Sequence, residues 1–282
     1  MSYKVTNTLL YLDKVSVGYP YRDGNGKEQI NLILKDVSLV EKDIIRDGFD
    51  STGQIVAFIG RSGRGKSTLF KALTGLIKPT SGKVLITDMS TKAVDDAKEV
   101  GEGDVGFVDQ KYTLFRHKTI YQIFQYALKN STLSKADKES LINKYLSDWG
   151  LEEHKDKFSC ELSGGQRQRT AIIEQMLTSK HFMVLDEPFS GLDVGNIEKV
   201  KLAFNRISND DELNTIIFST HDIPLAVELA DSIYIIGHPE GVTDYSTIVK
   251  HYDLKQMGLA WTPYGEGHRA LVKQIKEVVL NS

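Results

Sequence analysis

Cysteine occurs once in the 282 residues, as Cys160. A single thiol forms neither an internal disulfide nor a multi-thiolate zinc centre, so a reducing compartment is expected. Long apolar runs are also missing. The longest, such as Ile55-Val56-Ala57-Phe58-Ile59, have the length of a strand and fall far short of the roughly 20 residues that a spanning helix needs. Neither charge sign dominates: 35 Lys and Arg face 38 Asp and Glu, a net charge of −3. That balance argues against binding nucleic acid through bulk charge, and no nucleic-acid partner is expected. The opening residues Met1-Ser2-Tyr3-Lys4-Val5-Thr6-Asn7 lack a charged stretch followed by an apolar one, so no secretion signal is expected and a cytoplasmic location is. Internal repeats and low-complexity tracts are absent. What remains is ordinary globular material, 40 % hydrophobic and 26 % charged, long enough to bury a sizeable core.

The first part of the chain predicts strands at Leu9–Leu12, Val15–Val17 and Asn31–Val40, with a turn at Asp23-Gly24-Asn25-Gly26. A polar connection from Glu41 to Gly53 leads into the apolar strand Ile55–Ile59, a glycine-rich turn and a helix from about Lys66 to Thr74. A buried strand feeding a helix through glycines is the α/β unit of a mostly parallel sheet. Ser134 followed by Asp137 predicts a helix cap, after which Leu141, Ile142, Tyr145, Leu146 and Trp149 recur at helical spacing. A helix is expected after Gly165, strands at Phe182–Leu185 and Thr215–Phe218, a helix presenting Val200, Ala203, Phe204 and Ile207, and a last sheet strand at Ile233–Ile236. The tail predicts an amphipathic helix that aligns Leu271, Ile275, Val278 and Val279.

Three short segments carry chemistry. Gly60-Arg61-Ser62-Gly63-Arg64-Gly65-Lys66-Ser67, followed by Thr68, matches G-x-x-x-x-G-K-[ST]. Glycines let such a loop curl so that its N–H groups face phosphate oxygens, while Lys66 reaches the β/γ-phosphates and the Ser67 hydroxyl ligates Mg²⁺. Its setting between an apolar strand and a helix strengthens the reading, because the helix N-terminus favours the same anion. Phe182-Met183-Val184-Leu185 ends in Asp186 and Glu187. At the end of a buried strand, Asp186 can hold Mg²⁺ and Glu187 can act as a general base on water. Leu162-Ser163-Gly164-Gly165-Gln166 begins a helix with small residues and forms a second anion-binding helix start. One phosphate loop and two such sites make sense if two subunits sandwich each ATP.

With these segments in this order, the chain resembles the ATP-binding subunits of the ATP-binding cassette (ABC) family from Leu12 to about Ile236. The resemblance implies a P-loop NTPase (RecA-like) fold, with a mostly parallel sheet, an N-terminal antiparallel β layer and an inserted helical subdomain. It implies a cassette over residues 1–237, the helical subdomain at 111–160, and an extension at 238–282. It further implies that Tyr19 stacks on adenine, with Tyr21 a close competitor. Gln110 matches the residue that senses Mg²⁺ and the γ-phosphate, Asp193 in Ser190-Gly191-Leu192-Asp193 the dimer-communication loop, and His221 the γ-phosphate switch. The metal would be held by Ser67, Gln110 and Asp186, with Lys66, Gln110, Glu187 and His221 serving catalysis. Ser163 and Gly165 of one copy would cap the γ-phosphate held by Lys66 of the other.

Departures from the family pattern are Arg64 where a small residue is usual, Asp109 before Gln110, a long connection at 41–53, and no arginine-alanine run in Ile172-Ile173-Glu174-Gln175-Met176-Leu177. The tail segments His238-Pro239-Glu240-Gly241, Ile248-Val249-Lys250 and Tyr252-Asp253-Leu254 are similar to the nitrate/sulfonate/taurine-type importer ATPases. Tyr112, Phe115, Tyr121, Phe124 and Tyr126 fit either a docking groove or core. The implied partners are a second ATPase subunit, transmembrane permease subunits and a solute-binding protein, with the chain peripheral on the inner membrane face. A single-cassette ATPase for complex assembly is the alternative. A P-loop kinase or GTPase is excluded by Leu162–Gln166 and by the missing Asn-Lys-x-Asp guanine motif.

Overall fold

The computed structural model describes residues 3–46, 53–87, 97–178, 181–210 and 214–282. The chain opens with two long antiparallel strands, β1 (Tyr3–Arg22) and β2 (Glu28–Arg46). The short strands expected at Leu9–Leu12 and Val15–Val17 are parts of one strand. Shifts in register run along it, and Lys14 and, across the ladder, Asp36 adopt φ of 46° and 49°. Such bulges interrupt period-two alternation and bend the ribbon. The turn is as expected: Asp23 Oδ1 accepts the N–H groups of Asn25 and Lys27, each at 2.9 Å, and Gly26 takes φ 77°. The connection expected from Glu41 onward corrects differently. Glu41–Arg46 continues β2, with Glu41, Asp43, Ile44 and Arg46 buried, and the remainder of that connection lies outside the described residues apart from Gly53.

β3 (Gln54–Ile59) is buried throughout and feeds α1 (Lys66–Leu73). β4 (Ser81–Thr87) and β5 (Ala97–Glu99) return to the first sheet, whose order is β2-β1-β4-β5, all antiparallel. The chain then comes back to the second sheet, which already holds β3, at β6 (Gly106–Val108). Two helices follow. α2 (Ile120–Ala127) starts with a Thr119–Gln122 capping box, and α3 (Lys135–Asp148) has Ser134 as its N-cap, accepting the Asp137 N–H. A short 3₁₀ turn at Ser159–Glu161 leaves Cys160 exposed. α4 (Gly164–Thr178), β7 (Phe182–Leu185), α5 (Val194–Asp210), β8 (Thr215–Thr220), α6 (Ile223–Leu229) and β9 (Ser232–Gly237) complete the alternation.

The expected last strand is not the last. β10 (Thr247–Asp253) adds antiparallel to β9, and α7 (Glu266–Asn281) ends the chain's helices. β10 carries no strand signature in sequence, because its burial shows no alternation and neither period two nor a continuous apolar run marks it. The second sheet therefore runs β10-β9-β3-β8-β7-β6, parallel from β9 to β6.

Alternation along β3 explains the layering. Ile55, Ala57 and Ile59 enter one core with α2, α4, α5, α6 and α7, whereas Val56 and Phe58 enter another with α1 and the antiparallel sheet. Leu271, Val272 and Ile275 of α7 belong to the first core, as the tail's periodicity implied. Of the aromatics between Lys111 and Cys160, Phe124 is core, Tyr112 and Tyr121 pack on it, and Phe115 and Tyr126 stay exposed in edge-on contact at 5.2 Å.

A buried polar cluster ties the two sheets together. Tyr234 Oη on β9 donates to Glu41 Oε1 on β2 at 2.7 Å, and burial and the Glu41 charge hold that phenol protonated. Lys255 Nζ donates to Ser232 Oγ at 2.9 Å and lies 3.8 Å from Glu41 Oε2. The Tyr234 ring is sandwiched between Phe58, at 5.4 Å, and His251, at 4.2 Å. Asp231 accepts the Ile55 N–H at 2.9 Å, and burial pushes its carboxyl up to about 6.

Glu174 on α4 is the simpler titrating group. It is 9 % exposed, and burial raises its carboxyl from 4.5 to about 7. Between those values the folded chain holds a proton that the unfolded chain has released. Its contribution is therefore whole below the unfolded value and is lost as pH rises through about 7. Thermal unfolding should accordingly show stability falling between about pH 5 and 8. Glu174→Gln is expected to flatten that fall and to stabilise the fold at pH 8 by on the order of 2 kcal/mol. Identical pH slopes for both proteins would assign the titration elsewhere.

Candidate functional site

The parallel register aligns the C-terminal ends of three neighbouring strands. Ile59 pairs with Thr220, and Leu185 with Phe218. The residues that follow these strands, Gly60 onward, Asp186-Glu187 and His221, therefore emerge along one edge. This is where ligands bind in open parallel sheets.

The Gly60–Ser67 loop is shaped by contacts that exclude side chains. A Cβ on Gly60 would collide with the carbonyl oxygen of Ile236 on β9. Gly63 and Gly65 take φ of 81° and 87°, a region L residues avoid, and a Cβ on Gly65 would come within 2.9 Å of Leu34. Gly65 is also the N-cap of α1, so the loop's N–H groups and the helix N-terminus face the same space. Lys66 is 8 % exposed and donates to the Gly60 carbonyl at 2.7 Å and the Arg61 carbonyl at 3.4 Å. Burial lowers its pKa, and Glu187 and Asp186 partly offset this. Its Nζ lies 3.9 Å from Glu187 Oε1.

Ser219, on β8, organises the acidic pair. Its hydroxyl donates to Asp186 Oδ1 at 2.6 Å and accepts the Glu187 N–H at 2.9 Å. Glu187 holds φ 52°, a strained conformation for a non-glycine residue. Its Oε2 lies 2.9 Å from His221 Nδ1. Tyr112 Oη donates to the Glu187 carbonyl at 3.4 Å. Burial, then the charges of Glu187 and Asp109, push the Tyr112 hydroxyl up to about 12, so it stays a donor at neutral pH.

These groups surround a cleft of about 450 Å³. Ser62 to Thr68 form one wall, and Gln110, Asp186, Glu187 and His221 another. Tyr19 and Ile33, from the antiparallel sheet, close one end. Tyr19 is 42 % exposed, whereas Tyr21 is not part of the lining. Gly60 and Arg61, at the start of the loop, are not in the lining, and their carbonyls accept from Lys66.

Leu162–Gln166 is not in the cleft wall. Leu162 is buried, and Ser163 and Gln166 form a reciprocal cap at the start of α4. Ser163 Oγ accepts the Gln166 N–H at 3.3 Å, and Gln166 Oε1 accepts the Ser163 N–H at 2.9 Å. Asp193 lies outside the cleft too and accepts the Asn196 N–H and side-chain amide at 2.9 and 2.8 Å. These bonds lower the Asp193 pKa. Asn196 also accepts from Arg169 at 2.9 Å and lies 3.3 Å from where a Cβ on Gly165 would stand. The two segments thus form one unit away from the phosphate loop of their own chain.

The sequence reading missed the roles of Ser219, Tyr112 and Asn196. Ser219 and Asn196 each sit close to the motif segments, and Tyr112 reads from sequence only as an interface or core aromatic. Their partners are fixed by strand pairing and helix packing rather than by local spacing. The fit of Mg²⁺ rests on the donor set. Ser67, Gln110 and Asp186 offer oxygen donors with few carboxylates, as that ion prefers when phosphates complete its shell. Among the described residues no group of three or more His, Cys, Asp or Glu suggests another metal.

Comparison with known proteins gives concordant findings. The family model for the ABC transporter matches residues 51–190. The chain is 32 % identical over 234 residues to the sulfate/thiosulfate import ATP-binding protein CysA of Pectobacterium atrosepticum, covering 81 % of this chain and 69 % of that one. It is 32 % identical over 231 residues to the methionine import ATP-binding protein MetN of Rhodopseudomonas palustris, covering 81 % of this chain but 58 % of that one. Among solved structures, cbiO1 from Clostridium perfringens, described as part of the ABC transporter complex cbiONQ, superposes with a TM-score of 0.63 at 25 % identity. That superposition covers 90 % of this chain and 92 % of cbiO1.

Removing the Ser219 hydroxyl leaves the Glu187 N–H and one Asp186 oxygen without their partner. Ser219→Ala is expected to destabilise the fold by about 1–3 kcal/mol in denaturant unfolding. Ser219→Thr, which keeps the hydroxyl, should recover part of the loss.

Proposed function

The chain belongs to the ABC transporter family, and from that premise we propose that it is the ATP-binding and ATP-hydrolysing subunit that energises a multi-subunit importer. The observation that carries this reading is the separation of two anion-binding elements. Ser62–Thr68 lines the cleft, whereas Ser163–Gln166 caps a helix outside it. An anion site without a ligand in its own subunit is explained by a second copy, or a related subunit, closing head to tail.

In this reading Tyr19 stacks on adenine and the loop N–H groups, with Lys66, hold the phosphates. Lys66, now buried against backbone carbonyls and Glu187, gains a full counter-charge from the γ-phosphate. Ser67, Gln110 and Asp186 would hold Mg²⁺, which offsets phosphate charge when bound. Glu187 takes a proton from water, whose oxygen bonds to the γ-phosphorus. The bond from that phosphorus to the bridging oxygen breaks, and ADP leaves with the electron pair. His221, at 2.9 Å from Glu187, orients the carboxylate and reaches the γ-phosphate. Ser163 and Gly165 of the facing subunit donate to that phosphate, so ATP acts as the closing contact and its hydrolysis opens the pair.

The importer reading draws on the relatives, whose names specify import. No helix among the described residues is long and apolar enough to cross a membrane, so the path for solute falls to separate permease subunits. The segment 111–160, with exposed Phe115 and Tyr126, is the proposed docking region, and a solute-binding protein the proposed source of specificity.

Glu187→Gln tests both levels. Phosphate release should fall by on the order of 10²- to 10⁴-fold, with ATP binding retained in calorimetry. Tagged and pulled with ATP from detergent-solubilised membranes, this variant should bring down a polytopic membrane protein in stoichiometric amount. Recovery of soluble partners only, from well-extracted membranes, would replace the importer by an assembly ATPase.

A further inference from the structure

Ile33 reaches the cleft because β2 carries one residue too many. Val17 pairs with Leu34, and Gly18, the next residue of β1, pairs with Leu32, so Ile33 is the extra residue of a β-bulge. A bulge re-aims side chains. Here two consecutive ones face the phosphate loop: a Cβ on Gly65 would stand 3.0 Å from the Ile33 side chain and 2.9 Å from that of Leu34. Leu34 is fully buried in the core beneath. Ile33 is left half-buried, at the end of the cleft that Tyr19 shares.

The bulge is held from a distant part of the chain. Its extra residue drops out of the β1 ladder, and Ser246 gives the Ile33 carbonyl a partner by donating its N–H at 2.9 Å. The Ser246 carbonyl in turn accepts the Lys35 N–H at 3.0 Å. The two bonds form a parallel bridge between Leu34 and Ser246. Ser246 is 2 % exposed and closes the loop 238–246 that joins β9 to β10. That loop is braced within itself. His238 Nδ1 donates to the Tyr245 carbonyl at 2.7 Å, and the Val242 N–H to the Pro239 carbonyl at 3.0 Å. Lys35 Nζ lies 4.9 Å from the centre of the Tyr245 ring, a further contact between loop and bulge. The segment His238–Gly241, which takes no part in the catalytic reading, thus belongs to a brace behind the cleft.

We infer that Ser246 is a positioning residue for the base end of the nucleotide cleft: the β9–β10 loop holds the bulge that presents Ile33 beside Tyr19, so the fit of the base depends on this loop. The inference rests on the cleft being a nucleotide site. Tyr19 offers a ring face and Ile33 an apolar side chain, chemistry that suits a flat base and does nothing for a triphosphate. The phosphates fall to Ser62–Thr68, which the bridge does not include. Coupling of this kind is reciprocal: a base that fixes Ile33 also fixes the loop, and whatever displaces the loop weakens the hold on the base by the same factor.

The test compares two probes on the full chain with Mg²⁺, a slowly hydrolysed ATP analogue and tripolyphosphate, which has the phosphates without the base. Ser246→Pro removes the N–H given to Ile33. It should weaken the analogue about three- to thirtyfold in calorimetry while tripolyphosphate keeps its wild-type affinity. With ATP as substrate, KM should rise and kcat stay, the mark of lost ground-state binding rather than lost chemistry. Ser246→Ala keeps the N–H and should recover wild-type affinity. Ile33→Ala should reproduce the loss that is selective for the base. The wild type supplies a reading that depends on no variant folding. Hydrogen–deuterium exchange at Lys35 and Ser246, the two donors of the bridge, should slow several-fold on saturation with the analogue and not with tripolyphosphate. A folded Ser246→Pro that binds the analogue normally, equal losses for the two probes, or exchange that ignores the analogue each overturns the inference and leaves the nucleotide site standing. A wild type that binds neither probe overturns the proposed function with it.

Discussion

Parallel pairing within the second sheet is the constraint from which the site follows. β9, β3, β8 and β7 leave their carboxyl ends along one edge, and their fully buried faces require packed layers on both sides. The helices supply one layer. The other combines α1 with the antiparallel sheet, which also brings Tyr19 and Ile33 to the cleft. Because strand ends are set by ladder hydrogen bonds rather than by loops, the lysine, the two acids and the histidine emerge from rigid positions. Strain at Glu187 can persist there because Ser219 and Tyr112 bond its backbone from separate elements.

Polar groups do much of the joining between layers. Glu41, Tyr234, Ser232 and Lys255 form a buried network linking β2 to β9 and to the segment after β10. Breaking one member would leave a charge or hydroxyl unpaired in the interior, which makes such networks specific rather than strongly stabilising. Asp193, Asn196 and Arg169 similarly couple the start of α5 to α4, so Ser163–Gln166 and Asp193 are carried by a common support.

The sequence was most legible where structure is local. Glycines at 60, 63 and 65, the Ser134 cap and the apolar runs of β3, β7 and β8 depend on neighbours within a few residues, and each could be read in place. The spacing also marked Lys66, Asp186 and Glu187, since strand-end acids after a phosphate loop have a chemical rationale independent of the fold. Long-range pairing hid the rest. Ser219 matters because β8 lies beside β7 in one register. β10 joins an edge with no periodic pattern to announce it. Arg64 reads as an anomaly within its loop, and its partner, the main-chain oxygen of Ser282, is distant in sequence. The connection expected after Glu41 was misread at its start because the inward-facing residues of β2 there include Glu41 and Asp43, acids that a hydrophobic pattern scores as solvent-facing.

The lone thiol of Cys160 has an experimental consequence. It is exposed two residues before Leu162, next to the helix start that would face a partner subunit. A spin label or fluorophore attached there needs no other cysteine removed, and each chain of a pair would carry one probe. If two such chains pair as proposed, the separation between the two probes, measured by electron resonance or energy transfer, would give a single coordinate for opening and closing.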